Sequence, residues 1–233
     1  SQYQPMLDPH PKAATHRRRK QARPQELLDA ALELFVERGF AATRMEEIAT
    51  LAGVSKGTLY LYYASKEDLL KAVIGERLSS EIEIGAAAVA GHVGSCAELL
   101  RRLVEQWWLR VYDSPASGVF KLIITEVRSF PDIAAFYRRE VVEPATQLIG
   151  AVLSRGIAAG EFRRVDVEAA VYSLVLPMVM LCVHKHSIGA CQPFAAGLDP
   201  HDFVHRHVDL LLVGLAAPQT KKLPAASTRK KKA

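Results

Sequence analysis

Apolar residues with helical spacing run through this chain from residue 24 to residue 215, and no segment alternates like a strand. Pro24 suits a first helical turn, and the stripe after it consists of Leu27, Leu28, Ala31, Leu34 and Phe35. No hairpin dipeptide joins two alternating runs. The pattern predicts an all-α fold of about nine helices, at about 24–38, 43–52, 55–63, 66–90, 95–113, 117–129, 132–160 (with a kink at Pro144), 166–186 and 200–215.

Composition is typical of a globular protein of the cytoplasm. Hydrophobic residues make up 49% of the 233 residues, enough for a sizeable core. Cys96, Cys182 and Cys191 are scattered and odd in number, which argues against a disulfide framework. We see no signal peptide, and the longest apolar run, residues 169–183, is shorter than the roughly 20 residues that a membrane span needs. We therefore expect a cytoplasmic protein without membrane contact.

Two short predicted helices are joined by a glycine-containing turn between residues 43 and 63. The first opens with Thr43 and Glu46, a T-x-x-E capping box, and ends at Gly53, where a positive φ is expected. Ser55 caps the second and leaves its first N–H groups and positive dipole end exposed. Two helices joined by such a turn form a helix-turn-helix.

The second of these helices is unusual for a core element, because it buries little beyond Leu59. It displays polar and aromatic side chains, namely Lys56, Thr58, Tyr60 and Tyr62. In a major groove, lysine can donate to guanine and threonine can contact a thymine methyl group. Tyrosine hydroxyls and Lys66 suit phosphate oxygens, and Gly57 removes a side chain where the backbone approaches DNA. The segment predicts a DNA-binding surface.

At these residues the sequence closely resembles the TetR/AcrR family of bacterial transcriptional repressors. The matching pattern is I-A-x-x-A-G-V-S-x-G-T-L-Y-x-Y-Y-x-S-K-E-x-L from Ile48, with Thr43 before it and A-x-x-L-F-x-x-x-G-F from Ala31 to Phe40. A looser likeness follows at residues 156–163. The resemblance implies a dimer of nine or ten helices per chain that binds pseudo-palindromic operators and responds to small ligands.

The resemblance also implies roles for single residues. It implies that Thr43, Arg44, Tyr60 and Lys66 contact DNA phosphates. It also implies that Lys56, Thr58 and Tyr62 face base edges. Ser55 and Gly57 would lie at the start of this DNA-reading helix.

We divide the chain into a disordered basic arm (1–22), a helix-turn-helix DNA-binding domain (23–64), a ligand-binding and dimerisation domain (65–215) and a disordered basic tail (216–233). The net charge of +5 rests on the two ends. Residues 1–25 carry six basic and one acidic residue, residues 216–233 carry six basic and no acidic residues, and the body between them is acidic. Basic tails beside a DNA-reading unit add salt-dependent phosphate affinity.

The long C-terminal region is expected to provide dimerisation and ligand sensing. Two-fold operators call for a two-fold protein, and the apolar helices at 144–159 and 166–183 suit a four-helix interface. Its candidate contacts are Leu148, Val152, Leu174 and Met178. Aromatic residues between the helices could line a pocket for an apolar or aromatic effector: Trp107, Trp108, Tyr112, Phe120, Ile124, Phe136 and Tyr137. Since adjacent tryptophans point to different sides, at most one faces inward.

Histidines and cysteines gather near the C-terminal end, at Cys182, His184, His186, Cys191, His201, His205 and His207. Some pairs have the i, i+4 spacing of metal ligands on one helix face. The whole set matches no known zinc pattern, so we expect neither a metal nor another cofactor.

Together these features predict a sequence-specific DNA-binding transcriptional regulator, a repressor released from its operator by a small hydrophobic or aromatic ligand. The helix beginning at Ser65 would connect the DNA-binding unit to the pocket. We expect no enzymatic activity, because the chain lacks G-x-S-x-G, phosphate-loop and H-E-x-x-H motifs. Three alternatives remain open: an activator or ligand-independent regulator of the same fold, an enzyme with an appended DNA-binding domain, and a non-specific nucleoid protein.

Overall fold

The structure, a computed structural model, describes residues 12–192 and 198–218, with side-chain positions from residue 24 onward. Its first helix, α1, spans Lys12–Arg38. The expected disordered arm over 1–22 is therefore wrong for residues 12–22, and residues 1–11 lie outside the described part of the chain. The segment before Pro24 is rich in alanine, arginine and lysine, which are strong helix formers. Pro24 thus lies inside the helix rather than in its first turn.

Three short helices complete an N-terminal unit: α2 (Met45–Leu51), α3 (Lys56–Tyr62) and α4 (Lys66–Ile74). Gly39 and Gly53 end the preceding helices with φ values of 90° and 68°, which a residue with a Cβ resists. Each helix contributes fully buried side chains to a common core, including Phe35, Ile48, Leu59 and Leu69.

The start of α2 differs from the predicted capping box. Arg44 precedes the helix, and its backbone N–H donates to the Glu47 carboxylate at 2.9 Å. The Thr43 hydroxyl turns back to α1 instead and donates to the Gly39 carbonyl oxygen at 2.7 Å. The predicted pairing of Thr43 with Glu46 is therefore one residue out of register, because the end of α1 takes the threonine hydroxyl.

The C-terminal region is a helical bundle, and the all-α prediction is confirmed. Its helices are α5 (Ser80–Ala90), α6 (Cys96–Tyr112), α7 (Ser117–Glu126), α8 (Pro131–Tyr137), α9 (Glu143–Ala158), α10 (Val167–Lys185), α11 (Ile188–Cys191) and α12 (Pro200–Leu215). A 3₁₀ turn, Val127–Ser129, follows α7. Over the described residues there is no strand, only an isolated bridge between Phe162 and Ala216.

Two π-helical segments lie within long continuous helices. Gly75–Ser79 joins α4 to α5, and Arg138–Val142 joins α8 to α9. The predicted helices 66–90 and 132–160 are thus each continuous, and the second changes its winding just before Pro144. The two segments touch, since the Ser79 hydroxyl donates to the Glu140 carbonyl oxygen at 3.1 Å. Such segments are frequent at functional sites.

Two apolar cores support the molecule. The first joins the N-terminal unit to α7 and α8, and the second lies among α6, α9, α10 and α12. At the crossing of α1 and α7, Gly118 lies against Val36 so closely that a Cβ there would come within 3.0 Å of it. The Lys121 ammonium also donates to the Val36 carbonyl oxygen at 2.7 Å. The N-terminal unit, α1 to α4, is therefore packed directly onto the bundle.

The segment after α12 remains attached to the fold as far as Ala217, whose N–H donates to the Glu161 carbonyl oxygen at 3.0 Å. The Glu161 carboxylate accepts the N–H groups of Cys96 and Ala97 at the start of α6, at 2.7 and 2.8 Å. The expected tail over 216–233 is therefore wrong for residues 216 and 217, and residues 219–233 lie outside the described residues.

Within the described ranges, α10 is one helix that is long and apolar enough to cross a membrane, with 19 residues and a mean hydropathy of 1.8. One face of α10 is buried in the second core through Leu174 and Met178. The core helix of a soluble protein passes the same test of length and composition, and 28% of the apolar window of α10 is buried.

Candidate DNA-binding surface and ligand cavity

Helix α3 is held at its start by Ser55, whose hydroxyl oxygen accepts the Thr58 N–H at 3.1 Å and lies 2.8 Å from the Thr58 hydroxyl. The helix is anchored through Leu59, which is fully buried. Tyr60 and Tyr62 are exposed. The structure thus gathers the predicted reading residues on one exposed helix with a single buried anchor.

The sequence analysis missed one residue of this surface. Leu61 is 85% exposed, although it is a large apolar side chain between two tyrosines. At about 100° per residue, positions 57 and 61 lie opposite position 59. Its helical position relative to Leu59 predicts that Leu61 is exposed. The sequence analysis selected only the polar and aromatic residues of this helix and therefore left it out.

Lys56 is engaged in an ion pair in the free protein. Its ammonium group contacts the Glu46 carboxylate of α2 and lies 5.8 Å from the centre of the Tyr60 ring. The hydrogen bond to Glu46 raises the pKa of Lys56, and the same bond lowers the pKa of Glu46. Lys56 therefore stays charged, but Glu46 competes with DNA for it.

Two predicted phosphate contacts are turned inward. The Lys66 ammonium donates to the carbonyl oxygens of Phe40, Ala41 and Thr43, at 2.7, 3.1 and 2.9 Å. An ammonium group has three donors, so this set satisfies all of them. Thr43 is buried, and its hydroxyl bonds to α1. Both residues shape the loop before α2, and this corrects their expected direct role.

Arg44 and Tyr60 lie on the rim of a shallow depression between the start of α2 and the start of α4. Arg44 is exposed, and Tyr60 keeps a free face. Guanidinium and phenol groups on a concave surface suit phosphate oxygens. Of the four predicted phosphate contacts, these two remain available.

A cavity of about 360 Å³ lies inside the bundle, between α5, α6, α7, α8, α9 and α10. Aliphatic side chains make up most of its wall, many of them from α5, α9 and α10. The polar side chains in the wall are few: Glu81, Gln106, Arg110, Tyr137, Thr146 and Tyr172. The volume lies within the range of small-molecule sites, and their walls are likewise mostly apolar.

Four of the seven predicted pocket residues lie in this wall: Trp107, Phe120, Ile124 and Tyr137. Trp108 and Tyr112 do not. Their rings stack at 4.0 Å between centroids, and Trp108 is fully buried in the second core. Phe136 packs against the first core and carries Arg139 over its ring. Of the two adjacent tryptophans, Trp107 faces the cavity. The prediction followed aromatic residues and overlooked the aliphatic wall.

The cavity has a charged edge and a neutral interior. Arg110 donates to the Glu81 carboxylate at 2.5 Å, and the Arg110 side chain is 40% exposed. Farther inside, burial raises the pKa of Tyr137 to about 12, so that its phenol stays neutral. The wall can therefore receive an apolar body, and a polar end of such a molecule would lie near the Arg110–Glu81 pair.

The predicted dimer contacts lie inside the protomer. Val152, Leu174 and Met178 are buried in the second core, and Leu148 lines the cavity. Val152, Leu174 and Met178 are therefore wrong as contacts with a second copy, whereas the half-buried Leu148 stays a prediction. Another side of α10 exposes apolar side chains at Tyr172, Leu176 and Met180, and the first two also border the cavity. Helical spacing grouped the apolar residues but did not show which of them the protomer buries.

The histidines and cysteines have other partners. Across the described ranges, no three His, Cys, Asp or Glu residues are grouped to hold a metal. Cys182 is buried, which raises its pKa to about 12. His201 and His205 lie 3.1 Å from the carboxylates of Asp113 and Glu105, and these contacts join α12 to α6.

Ser117 and His186 form a close pair, with Oγ and Nε2 2.8 Å apart. The Ser117 hydroxyl can also donate to the Ser114 carbonyl oxygen, which lies 2.9 Å away. Burial, followed by the charges of Lys185 and Lys121, lowers the pKa of His186. The pair joins α7 to the end of α10.

Known families match both halves of the chain. The family model described as bacterial regulatory proteins, tetR family, matches residues 27–73, and that of a tetracyclin repressor-like C-terminal domain matches residues 92–189. The HTH-type transcriptional repressor KstR2 of Rhodococcus jostii is 32% identical over 153 residues, 65% of this chain and 74% of that protein. The chain belongs to the TetR family.

TetR-family membership makes the chain a DNA-binding transcriptional regulator. The fatty acid metabolism regulator protein of Bacillus subtilis is 28% identical over 65% of this chain and 78% of its own length. Two solved structures share the fold. The fatty acid degradation regulator FadR of Bacillus halodurans has a TM-score of 0.69 at 23% identity, and FadR of Bacillus subtilis in complex with stearoyl-CoA has a TM-score of 0.66 at 21% identity. Each alignment covers 82% of this chain and 98% of the other.

Proposed function

We propose that this TetR-family protein is a repressor that leaves its operator when an anionic molecule with a long aliphatic chain, of the fatty-acyl class, occupies the cavity. The observation that carries this proposal is the composition of the cavity wall, which is mostly aliphatic and has Arg110, paired with Glu81, at its edge. Such a wall favours a flexible hydrocarbon chain over a planar polar compound. Arg110 suits a carboxylate or phosphate end.

The relatives support the same ligand class. One is a fatty acid metabolism regulator, and a structure of the same fold holds stearoyl-CoA. In the present chain, Trp107 and Phe120 pack edge to face at 6.2 Å between centroids and add apolar surface to the wall that such a molecule would contact. No enzymatic step is needed for this function, which acts in the cytoplasm where the operator is accessible.

Two routes connect the cavity to the DNA-binding unit. The first is the continuous helix from α4 through the π segment to α5, because α5 supplies Glu81 and Gly85 to the wall. The second is α7, which places Phe120 in the wall and Gly118 against α1. A ligand that prefers one spacing of these helices shifts the population toward it. By linkage, operator DNA weakens ligand binding by the same factor.

The test uses operator duplexes selected by the full-length protein from a random-sequence library. Release of fluorescent duplex is followed while saturated acyl-CoA esters of increasing chain length, the matching free fatty acids and planar aromatic acids are added. We expect long acyl chains to release the duplex at lower concentrations than short ones. If none of the acyl compounds releases DNA, or the aromatic acids act at lower concentrations, the proposed class is wrong.

A pair of neighbouring variants locates the effect in the cavity. Ala88 lines the cavity and Ala87 is exposed on the same helix. Ala88→Trp is expected to abolish release by long acyl chains while the variant still binds operator, and Ala87→Trp is expected to respond like the unmodified protein. Equal responses of the two variants would contradict the cavity as the effector site.

The repressor acts as a homodimer through the exposed face of α10 and its neighbour α9. Three large apolar side chains on one helix face, at Tyr172, Leu176 and Met180, suit burial against a second copy. A two-fold dimer would place two α3 helices about 34–36 Å apart for successive major grooves. Met180→Arg is expected to yield monomers in sedimentation experiments, whereas Ala86→Arg on the exposed face of α5 leaves the mass unchanged. A dimeric Met180→Arg protein would contradict this interface.

A further inference from the structure

We propose that Leu61 reads a thymine in each operator half-site, by apolar contact with the thymine methyl group in the major groove. The inference rests on the DNA-binding role of the family and is independent of the effector. Thymine is the one base that presents a methyl group in that groove. The proposal is carried by two neighbouring positions on the outer side of α3, the exposed Leu61 and Gly57. Both lie opposite the buried Leu59.

Leu61 occupies the outermost position of the reading helix. Leu59 is fully buried in the first core, which fixes the inner side of α3. Positions 57 and 61 lie on the opposite side, one turn apart. Because position 57 is glycine and a Cβ there would meet only the Ser55 hydroxyl, at 3.9 Å, nothing prevents this side of the helix from approaching the base edges.

The polar residues of α3 are placed to the sides or already bonded. Lys56 pairs with Glu46, and the Thr58 hydroxyl bonds to Ser55. Tyr60 borders the depression beside Arg44, which is suited to the DNA backbone. Leu61 is 85% exposed, whereas Tyr60 and Tyr62 are 43% and 41% exposed, so the large side chain most open to a partner on this side is the apolar one.

An apolar side chain at this position discriminates among bases. Against a thymine methyl group it loses its contact with water, and the contact is favourable. Against cytosine N4 or adenine N6, it would cover a donor that then lacks a partner, which is costly. Leu61 thus selects thymine both by attraction and by exclusion.

Deoxyuridine tests the contact, because it differs from thymidine only by the methyl group. Duplexes are first selected by the full-length protein from a random-sequence library. Each thymine is then replaced by deoxyuridine in both half-sites, and affinity is measured by fluorescence anisotropy. At one thymine position we expect a loss of about four-fold per half-site, the contribution of one apolar carbon removed from water.

Three variants assign this loss to Leu61. In Leu61→Ala the deoxyuridine penalty at that position should disappear, in Leu61→Met it should remain, and in Thr58→Ser, which removes the other candidate methyl contact, it should also remain. Measurements at low salt keep weakened complexes detectable. Because Leu61 is 85% exposed, thermal unfolding of Leu61→Ala should match that of the unmodified protein.

The alternatives give different results. If no thymine shows a penalty that depends on Leu61, or if the penalty disappears in Thr58→Ser instead, the proposal is overturned. It is equally overturned if Leu61→Ala selects the same sequences with the same deoxyuridine penalties. None of these outcomes depends on whether an acyl ligand releases the DNA.

Discussion

The DNA-binding unit and the cavity follow different rules of construction. Around α2 and α3, bonds between residues close in sequence set the geometry: Ser55 caps α3, and Arg44 bonds to Glu47. Around the cavity, the wall comes from helices far apart in the chain, and apolar packing shapes most of it, with an ion pair between Arg110 and Glu81 at its edge. The DNA-binding surface is therefore specified mostly by local bonds, with Lys66 as the long-range exception, whereas the cavity depends on the assembled bundle.

The largest expected effect tests whether the two regions form one cooperative unit. Gly118 lies at a close approach of α7 to α1, with no room for a Cβ beside Val36. Gly118→Ala should lower the free energy of unfolding by about 3 kcal/mol, the upper end for overpacking in a core. Urea unfolding followed by far-ultraviolet circular dichroism measures it.

The control for this substitution is Gly91→Ala, whose added Cβ would lie 3.7 Å from its nearest neighbour, an ordinary contact. We expect a change of less than about 0.5 kcal/mol there. If Gly118→Ala behaved like Gly91→Ala, α1 and α7 would not be tightly joined, and the second route between cavity and DNA-binding unit would fail.

Lys66→Met comes next and contrasts two uses of lysine within the DNA-binding unit. Lys66 bonds to three carbonyl oxygens in the free protein, so its loss should cost about 2 kcal/mol of stability even without DNA. Lys56→Met removes the same charge from an exposed ion pair. It should leave stability nearly unchanged and weaken DNA binding. A Lys66→Met protein of normal stability in urea would restore Lys66 as a plain phosphate contact.

The sequence predicted the DNA-binding unit far better than the cavity. Gly53, Ser55 and the helices beside them follow from glycine conformation and capping, which act over a few residues. The structural role of Lys66 was not predicted, because its three acceptors lie 23 to 26 residues away in the chain. Local sequence patterns do not reach that far.

The cavity and the dimer face failed for a related reason. Helical spacing shows which residues share a face but not which neighbour covers that face. Val152, Leu174 and Met178 were correctly grouped as apolar, yet they form the inner side of their helices. In the same way, Trp107 and Trp108 are adjacent in sequence, yet Trp107 lines the cavity and Trp108 is buried in the second core.

Glu161 provides a smaller test in the helical bundle, because its carboxylate bonds to the start of α6, more than 60 residues earlier in the chain. Burial tends to raise the pKa of Glu161, but hydrogen bonds from Ser95 and from the N–H groups of Ala97 and Cys96 outweigh it and lower the pKa. A carboxylate with a lowered folded-state pKa stabilises above its unfolded pKa, and the contribution is lost as pH falls through the folded value. Stability should therefore decline with acidification below about pH 4.5.

Glu161→Gln should cost about 1 kcal/mol at neutral pH, a modest figure because the carboxylate is partly exposed. It should also flatten the decline in stability on the acid side. Glu98→Gln, on the exposed first turn of α6, serves as the control in the same urea titrations. An unchanged acid decline in Glu161→Gln would show that the start of α6 does not depend on this carboxylate.

The smallest expected effect concerns Glu46, which holds Lys56 in the free protein. Glu46→Gln removes a negative charge beside the DNA and releases the ammonium group, so binding to random-sequence duplex should tighten by about two- to five-fold. Stability should stay nearly unchanged, since the pair is exposed. Glu83→Gln changes the net charge equally on the exposed face of α5 and should have a smaller effect on DNA affinity. Equal effects would mean that only the net charge matters, and Glu46 would then have no specific part in restraining Lys56. A larger effect at Glu46 would mean that the local polar bonds of the DNA-binding unit also limit how strongly it binds sequences other than its operator.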